Sequence, residues 1–178
     1  MKPIAILGTL ILASVASAQT IQPQERANGP VSKCTITTVQ TKTNATPSPQ
    51  LTTYLSTLHP AGYNVTQPNH NFGDSFHVCV CEVCSAKLEI RVAQTTPRDL
   101  PGNDGYTVGI APFSSPADKI ASGTIWPSNN SSAPAKTITI NLNPQQLTHF
   151  LCGNKGWLDV YVEDDTTVLW TRLTTTHP

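Results

Sequence analysis

A mainly β fold is what this sequence predicts: an antiparallel β-sandwich, jelly-roll or immunoglobulin-like, with one or two short helices. Three observations lead there. From Phe76 onward, apolar residues alternate with polar ones at period two in run after run. Turn-forming clusters, such as Pro97 to Gly105 and the polar stretch Pro127 to Ala135, separate those runs. The strand–helix–strand rhythm of a parallel sheet is missing, which leaves an antiparallel sandwich or barrel.

The chain opens with Lys2, an apolar run from Ile4 to Val15, and Ala16-Ser17-Ala18. That order predicts a signal peptide over residues 1–18, cleaved before Gln19. The run is shorter than the roughly 20 apolar residues of a spanning helix. The expectation is therefore a secreted, extracellular protein with no membrane span.

Residues 19–71 read as a Pro-, Thr- and Asn-rich arm holding one strand and one short helix, and residues 72–178 as the sandwich. Within the arm, Cys34 to Gln40 alternates as a strand does. Leu51, Tyr54, Leu55 and Leu58 then recur at helical spacing behind Ser48-Pro49, an N-cap followed by a proline at the first helical position. The helix is expected from Pro49 to Leu58, and so short a helix needs a surface to pack on.

In the sandwich, Phe76, Val78 and Val80 are expected on one face and His77, Cys79 and Cys81 on the other. Ala86, Leu88, Ile90 and Val92 alternate with Lys87, Glu89 and Arg91 as a half-buried strand. Further strands are expected at Tyr106 to Ile110, Ile120 to Trp126, Thr137 to Leu142, Leu158 to Glu163 and Thr167 to Leu173. Asn143, Pro144 and Gln146 announce a helix carrying Leu147, Phe150 and Leu151 inward, with Gly153 placed to end it.

Charged residues make up only 12% of the chain and the formal net charge is zero. A nucleic-acid partner would need a basic face, so this class is excluded. Neutral polar surface and the sequons at Asn44, Asn64, Asn129 and Asn130 fit an extracellular glycoprotein.

Cys34, Cys79, Cys81, Cys84 and Cys152 are the disulfide candidates in an oxidising compartment. Cys34 and Cys152 are isolated, and each is expected to tie a distant element to the Cys79–Cys84 hub. An odd cysteine is then left over, inert or available to link two chains. Metal binding by His77, Cys79 and Cys81 is the weaker alternative, because no second ligand pair follows. No cofactor is expected.

No catalytic motif appears. Asp159 and Glu163 share a strand face about 13 Å apart, at roughly 3.3 Å per residue, too far for a glycosidase pair. Asp164 and Asp165, with Asn103 and Asp104, offer oxygens to calcium but lack a loop motif. A site assembled from distant residues stays open.

A two-residue turn at Asp164-Asp165 would set Tyr161 opposite Val168 and Asp159 opposite Trp170. That register puts Leu158, Val160, Val162 and Leu169 in the core and leaves Asp159, Tyr161, Trp170 and Arg172 outward as a ligand face. The competing expectation has Tyr161 and Trp170 packed beneath a loop or the Pro49 helix. The function expected is a non-catalytic extracellular module that binds carbohydrate or protein. A secreted effector or inhibitor is the alternative.

Overall fold

The computed structural model describes residues 34, 36–58, 71–80, 82–94, 105–126, 134–163 and 166–178. The expected signal peptide, Cys81, the sequons at Asn64, Asn129 and Asn130, and the pair Asp164-Asp165 of the expected turn lie outside these residues. Among the described residues there are eight strands: β1 (Ile36–Lys42), β2 (Phe72–His77), β3 (Ser85–Gln94), β4 (Gly105–Gly109), β5 (Lys119–Thr124), β6 (Lys136–Leu142), β7 (Trp157–Val162) and β8 (Thr166–His177). Two helices accompany them, α1 (Pro49–Leu58) and α2 (Pro144–Gly153). None is long and apolar enough to cross a membrane.

The strands form two antiparallel sheets, ordered β1-β8-β3-β6 and β2-β7-β4-β5. First pairs with last, second with seventh, third with sixth and fourth with fifth. This nested pairing is that of one long hairpin wrapped over itself, the jelly-roll alternative of the expected sandwich. It takes in β1, which pairs with β8, so the sheets draw on the chain well before residue 72.

The core lies between the sheets. Leu88, Ile90, Val92 and Leu173 of one sheet meet Phe76, Val108, Leu158, Val160 and Val162 of the other, all at most 1% exposed. Leu147 and Leu151 of α2 join the same core. Burying each such side chain contributes roughly 1.5–3 kcal/mol. The Cys34–Cys84 disulfide ties the start of β1 to the start of β3 across 50 residues. A loop of that length stabilises the fold by about 4 kcal/mol in the chain-entropy picture.

Both helix starts follow from the sequence. The Ser48 hydroxyl accepts from the Leu51 amide at 3.1 Å, and Asn143 Oδ1 accepts from the Gln146 amide at 2.9 Å. The end of α2 differs from expectation. Gly153 stays helical, and the left-handed turn falls on Lys155 (φ 50°) and Gly156 (φ 83°). A Cβ on Gly156 would stand 2.9 Å from the Val78 carbonyl oxygen.

Two corrections concern the last strands. β7 and β8 belong to different sheets: β7 pairs with β2 and β4, β8 with β1 and β3. Tyr161 therefore faces Gly73 and Thr107, not Val168, and Asp159 faces Ser75 and Gly109, not Trp170. Leu169 is not in the core but 43% exposed. A bulge causes this: Trp170 pairs with Arg91 and Val168 with Val92, so Leu169 has no partner. Beyond the bulge Thr171, Leu173 and Thr175 point inward.

Candidate functional site

The four residues expected to make one ligand face occupy two separate surfaces. Asp159 and Tyr161 lie on the outer side of the β2-β7-β4-β5 sheet, and that side is covered. Leu51 and Leu55 of α1 pack directly on Gly73 of β2, where a Cβ would collide with Leu55 Cδ1. Tyr54 of α1 stands edge-on to Phe113, 5.7 Å between centroids, and to Tyr161, 5.6 Å. The Tyr161 hydroxyl donates to Asn71 Oδ1 at 2.6 Å. Tyr161 is thus packed under the Pro49 helix, the competing expectation for it. A shallow, mostly apolar groove of about 370 Å³ runs outside this cluster, lined by Gln50, Thr53, Tyr54, Thr57, Ala111 and Pro112. Burial, with the Glu163 carboxylate adding to it, pushes the Tyr54 phenol above its ordinary range.

Asp159 is wholly buried. Its Oδ1 accepts from the Ser75 hydroxyl at 2.6 Å and its Oδ2 from the Ala111 amide at 2.9 Å. Ser75 Oγ in turn accepts from the Ser48 amide, 2.7 Å away, at the start of α1. Asp159 therefore pins β2, the helix start and the 111–113 loop onto β7 and exposes no surface to solvent. A second buried carboxylate, Asp74, went unread in the sequence because it interrupts the apolar alternation of β2. It accepts from the Thr46 and Ser75 amides, each at 2.9 Å, and from the Thr171 hydroxyl at 2.6 Å. Lys42 Nζ lies 3.3 Å from it and also donates to the Ser75 carbonyl.

Trp170 and Arg172 are on the other surface, the outer side of the β1-β8-β3-β6 sheet. No described element packs over it. Cross-strand pairing lays out its rows. Thr41, Arg172, Glu89 and Thr139 are partners in one row, and Trp170, Arg91 and Thr137 in the next. A further row holds Val39, Thr174, Lys87 and Asn141. At the usual strand spacing the four strands span about 14 Å.

The charged groups on this face are held by their neighbours. The Arg172 guanidinium lies 4.8 Å from the centroid of the Trp170 ring. Its Nε donates to Thr41 Oγ1 at 3.1 Å, and its Nη1 stands 3.8 Å from Glu89 Oε2. Glu89 also meets Lys87 Nζ at 3.4 Å, and Arg91 donates to Thr137 Oγ1 at 3.3 Å. The Arg172–Trp170 contact is a cation–π pair worth about 0.5–1 kcal/mol at such an exposed place. The face thus presents an indole among fixed guanidinium, carboxylate and hydroxyl groups. Glu89 and Arg91 were legible as outward residues of β3, but only the strand order brings them beside Trp170 and Arg172.

Among the cysteines, Cys34 is joined to Cys84, as expected for a bond from a distant element to the hub. Cys79 and Cys152 are free and exposed. His77 and Cys79 point the same way, with His77 Nδ1 3.4 Å from Cys79 Sγ. Among the described residues no three His, Cys, Asp or Glu side chains gather as a metal site would require. Asn44 is exposed in the bend after β1. No protein-family model matches the chain, and no curated protein shows significant similarity to it.

Proposed function

We propose that the protein is an extracellular carbohydrate-binding module and that its ligand lies across the open face of the β1-β8-β3-β6 sheet. The observation that carries this reading is Trp170, half-buried on a face that no described element covers, beside Leu169 at the bulge and braced by Arg172. An indole ring offers a sugar an apolar plane. The surrounding Thr41, Thr137, Thr139, Thr174 and Asn141 offer neutral hydroxyl and amide groups, and Arg91, Arg172 and Glu89 offer charged partners for hydroxyls. A face so rich in neutral polar groups suits a polyhydroxyl ligand better than a protein partner, whose hot spots need apolar pockets. The Cys34–Cys84 bond supports an oxidising compartment, and with the expected signal peptide it supports secretion. Asn44, exposed in the bend after β1, is a candidate to carry a glycan.

A glycan array probed with the wild-type protein and with Trp170→Ala tests the reading. Binding to a glycan class, weakened at least about tenfold by Trp170→Ala (about 1.4 kcal/mol), supports it. An array without binders, together with a protein captured from the native extracellular fluid and lost with Trp170→Ala, assigns the face to a protein partner instead.

A further inference from the structure

Beyond the ligand face, we propose that Cys79 and Cys152 are a paired thiol couple that closes into a second, exchangeable disulfide, with His77 as the base that takes the Cys79 proton. The two cysteines sit just past the end of β2 and in the last turn of α2, and both line one depression of about 300 Å³. Gly156 holds the two segments together: its carbonyl accepts from the Val78 amide at 2.8 Å, and its own amide donates to the Leu151 carbonyl at 2.8 Å. Val78 and Leu151 are the residues immediately before the two cysteines. The absence of a Cβ at Gly156 allows this approach, because one would press on the Val78 carbonyl and on the His77 ring.

His77 is fixed in a useful orientation. Its ring packs against Trp157, 4.6 Å between centroids. Its Nε2 lies 3.1 Å from the Lys155 carbonyl oxygen. A carbonyl only accepts, so Nε2 carries the proton, and in the neutral ring Nδ1 is left as an acceptor. Nδ1 is the nitrogen 3.4 Å from Cys79 Sγ. Both thiols are exposed, so a small disulfide reaches them.

The chemistry is thiol–disulfide exchange with a low-molecular-weight disulfide of the compartment. His77 Nδ1 takes the Cys79 proton, and the thiolate attacks one sulfur of that disulfide. The S–S bond breaks, one half leaves as a thiolate and collects a proton, and Cys79 carries the other half. Cys152, deprotonated in turn, attacks the Cys79 sulfur and expels the second half as a thiol. Two protein thiols are oxidised and one disulfide is reduced to two thiols.

The test equilibrates the full-length protein in oxidised and reduced glutathione at graded ratios, then traps free thiols by alkylation. Cleavage after Glu82 separates the Cys79 peptide from the Cys84 peptide, and Cys81→Ser removes the neighbouring thiol. In wild type and in Cys81→Ser, a crosslink between the Cys79 and Cys152 peptides is expected, opening as the buffer becomes reducing. Cys152→Ser should stop at a glutathione adduct on Cys79. His77→Gln should slow crosslinking more than about tenfold while leaving the equilibrium ratio unchanged, which separates a base from a residue that merely supports the fold. Four results overturn the proposal: Cys79 and Cys152 both still alkylated in Cys81→Ser under oxidising glutathione, Cys152 joined to Cys81 in wild type, no adduct on Cys79 in Cys152→Ser, or an unchanged rate in His77→Gln.

Discussion

Removing the Asp159 carboxylate should damage the fold and not a ligand contact. Asp159→Ala leaves the Ser75 hydroxyl and the Ala111 amide without their acceptor in a fully buried place. Hydrogen bonds to a charged group are worth about 1.5–3 kcal/mol each, so the loss is about 3–6 kcal/mol. That is a large share of the roughly 5–15 kcal/mol that holds a domain folded. Asp159→Asn is the informative partner. Its carbonyl can still serve the Ala111 amide, but its NH₂ then meets Ser75 Oγ, which already accepts from the Ser48 amide. About half the loss should follow. Urea unfolding reads both variants: at a slope of about 2 kcal/mol/M, Asp159→Ala should move the midpoint down by about 2 M. An unchanged midpoint for Asp159→Ala, with ligand binding lost, would restore Asp159 to the binding face and refute the reasoning.

Three further expectations follow from burial and charge. Leu169→Ala should cost less than about 1 kcal/mol, whereas Leu173→Ala, at 1% exposure, should cost about 2–5 kcal/mol; equal losses in thermal melts would mean that the bulge is absent. Lys42→Met withdraws the only cation beside buried Asp74 among its described partners and should cost about 3 kcal/mol; Asp74 keeps its two amide donors and the Thr171 hydroxyl. In the same unfolding assay Lys87→Met, which breaks an exposed pair with Glu89, should cost less than about 1 kcal/mol. Tyr54 favours its neutral phenol in the folded state, so its contribution is fully present below the ordinary tyrosine value near about 10 and is lost as pH rises through the higher folded value. Unfolding midpoints of wild type and Tyr54→Phe should therefore diverge only above that ordinary value, with wild type falling faster.

How much of this was legible in the sequence depends on whether local chemistry or the choice of partner decided it. The helix starts at Ser48 and Asn143 were readable because a cap is a contact over three residues. The inward set Ala86, Leu88, Ile90 and Val92 was readable because period two is intrinsic to a strand. Pairing is different. Alternation in β7 and β8 says which residues share a face but not which strand lies alongside, and the short Asp164-Asp165 link resembled a hairpin turn. In a wrapped jelly roll β7 ends at Val162 in one sheet and β8 begins at Thr166 in the other, so Asp159 and Trp170 never meet. The bulge at Leu169 escaped for a related reason: one extra residue exchanges inside for outside with no change in composition. The first half of β2 escaped because Asp74 and Ser75 are buried polar groups that mimic a loop.

The two outer faces differ for a reason that bears on where the proposed ligand would lie. On the β2-β7-β4-β5 sheet the outward positions beneath α1 include Gly73, Ser75 and Asp159. They are short, and their polar atoms are met by the Ser48 amide, the Ala111 amide and one another. A short helix can lie flat on such a surface, bury Leu51 and Leu55, and leave no polar group unmet. On the β1-β8-β3-β6 sheet the central outward positions include Lys87, Glu89, Arg91, Trp170 and Arg172. Covering them with an apolar helix would bury charges whose desolvation exceeds what their mutual contacts return. The long charged side chains thus keep that face free of the described elements. Their hydrogen bonds to Thr41 and Thr137 hold them in place across the sheet. Under the proposed function, a polar ligand replacing the water there would meet groups already positioned, so that the cost of ordering them would fall on folding and not on binding.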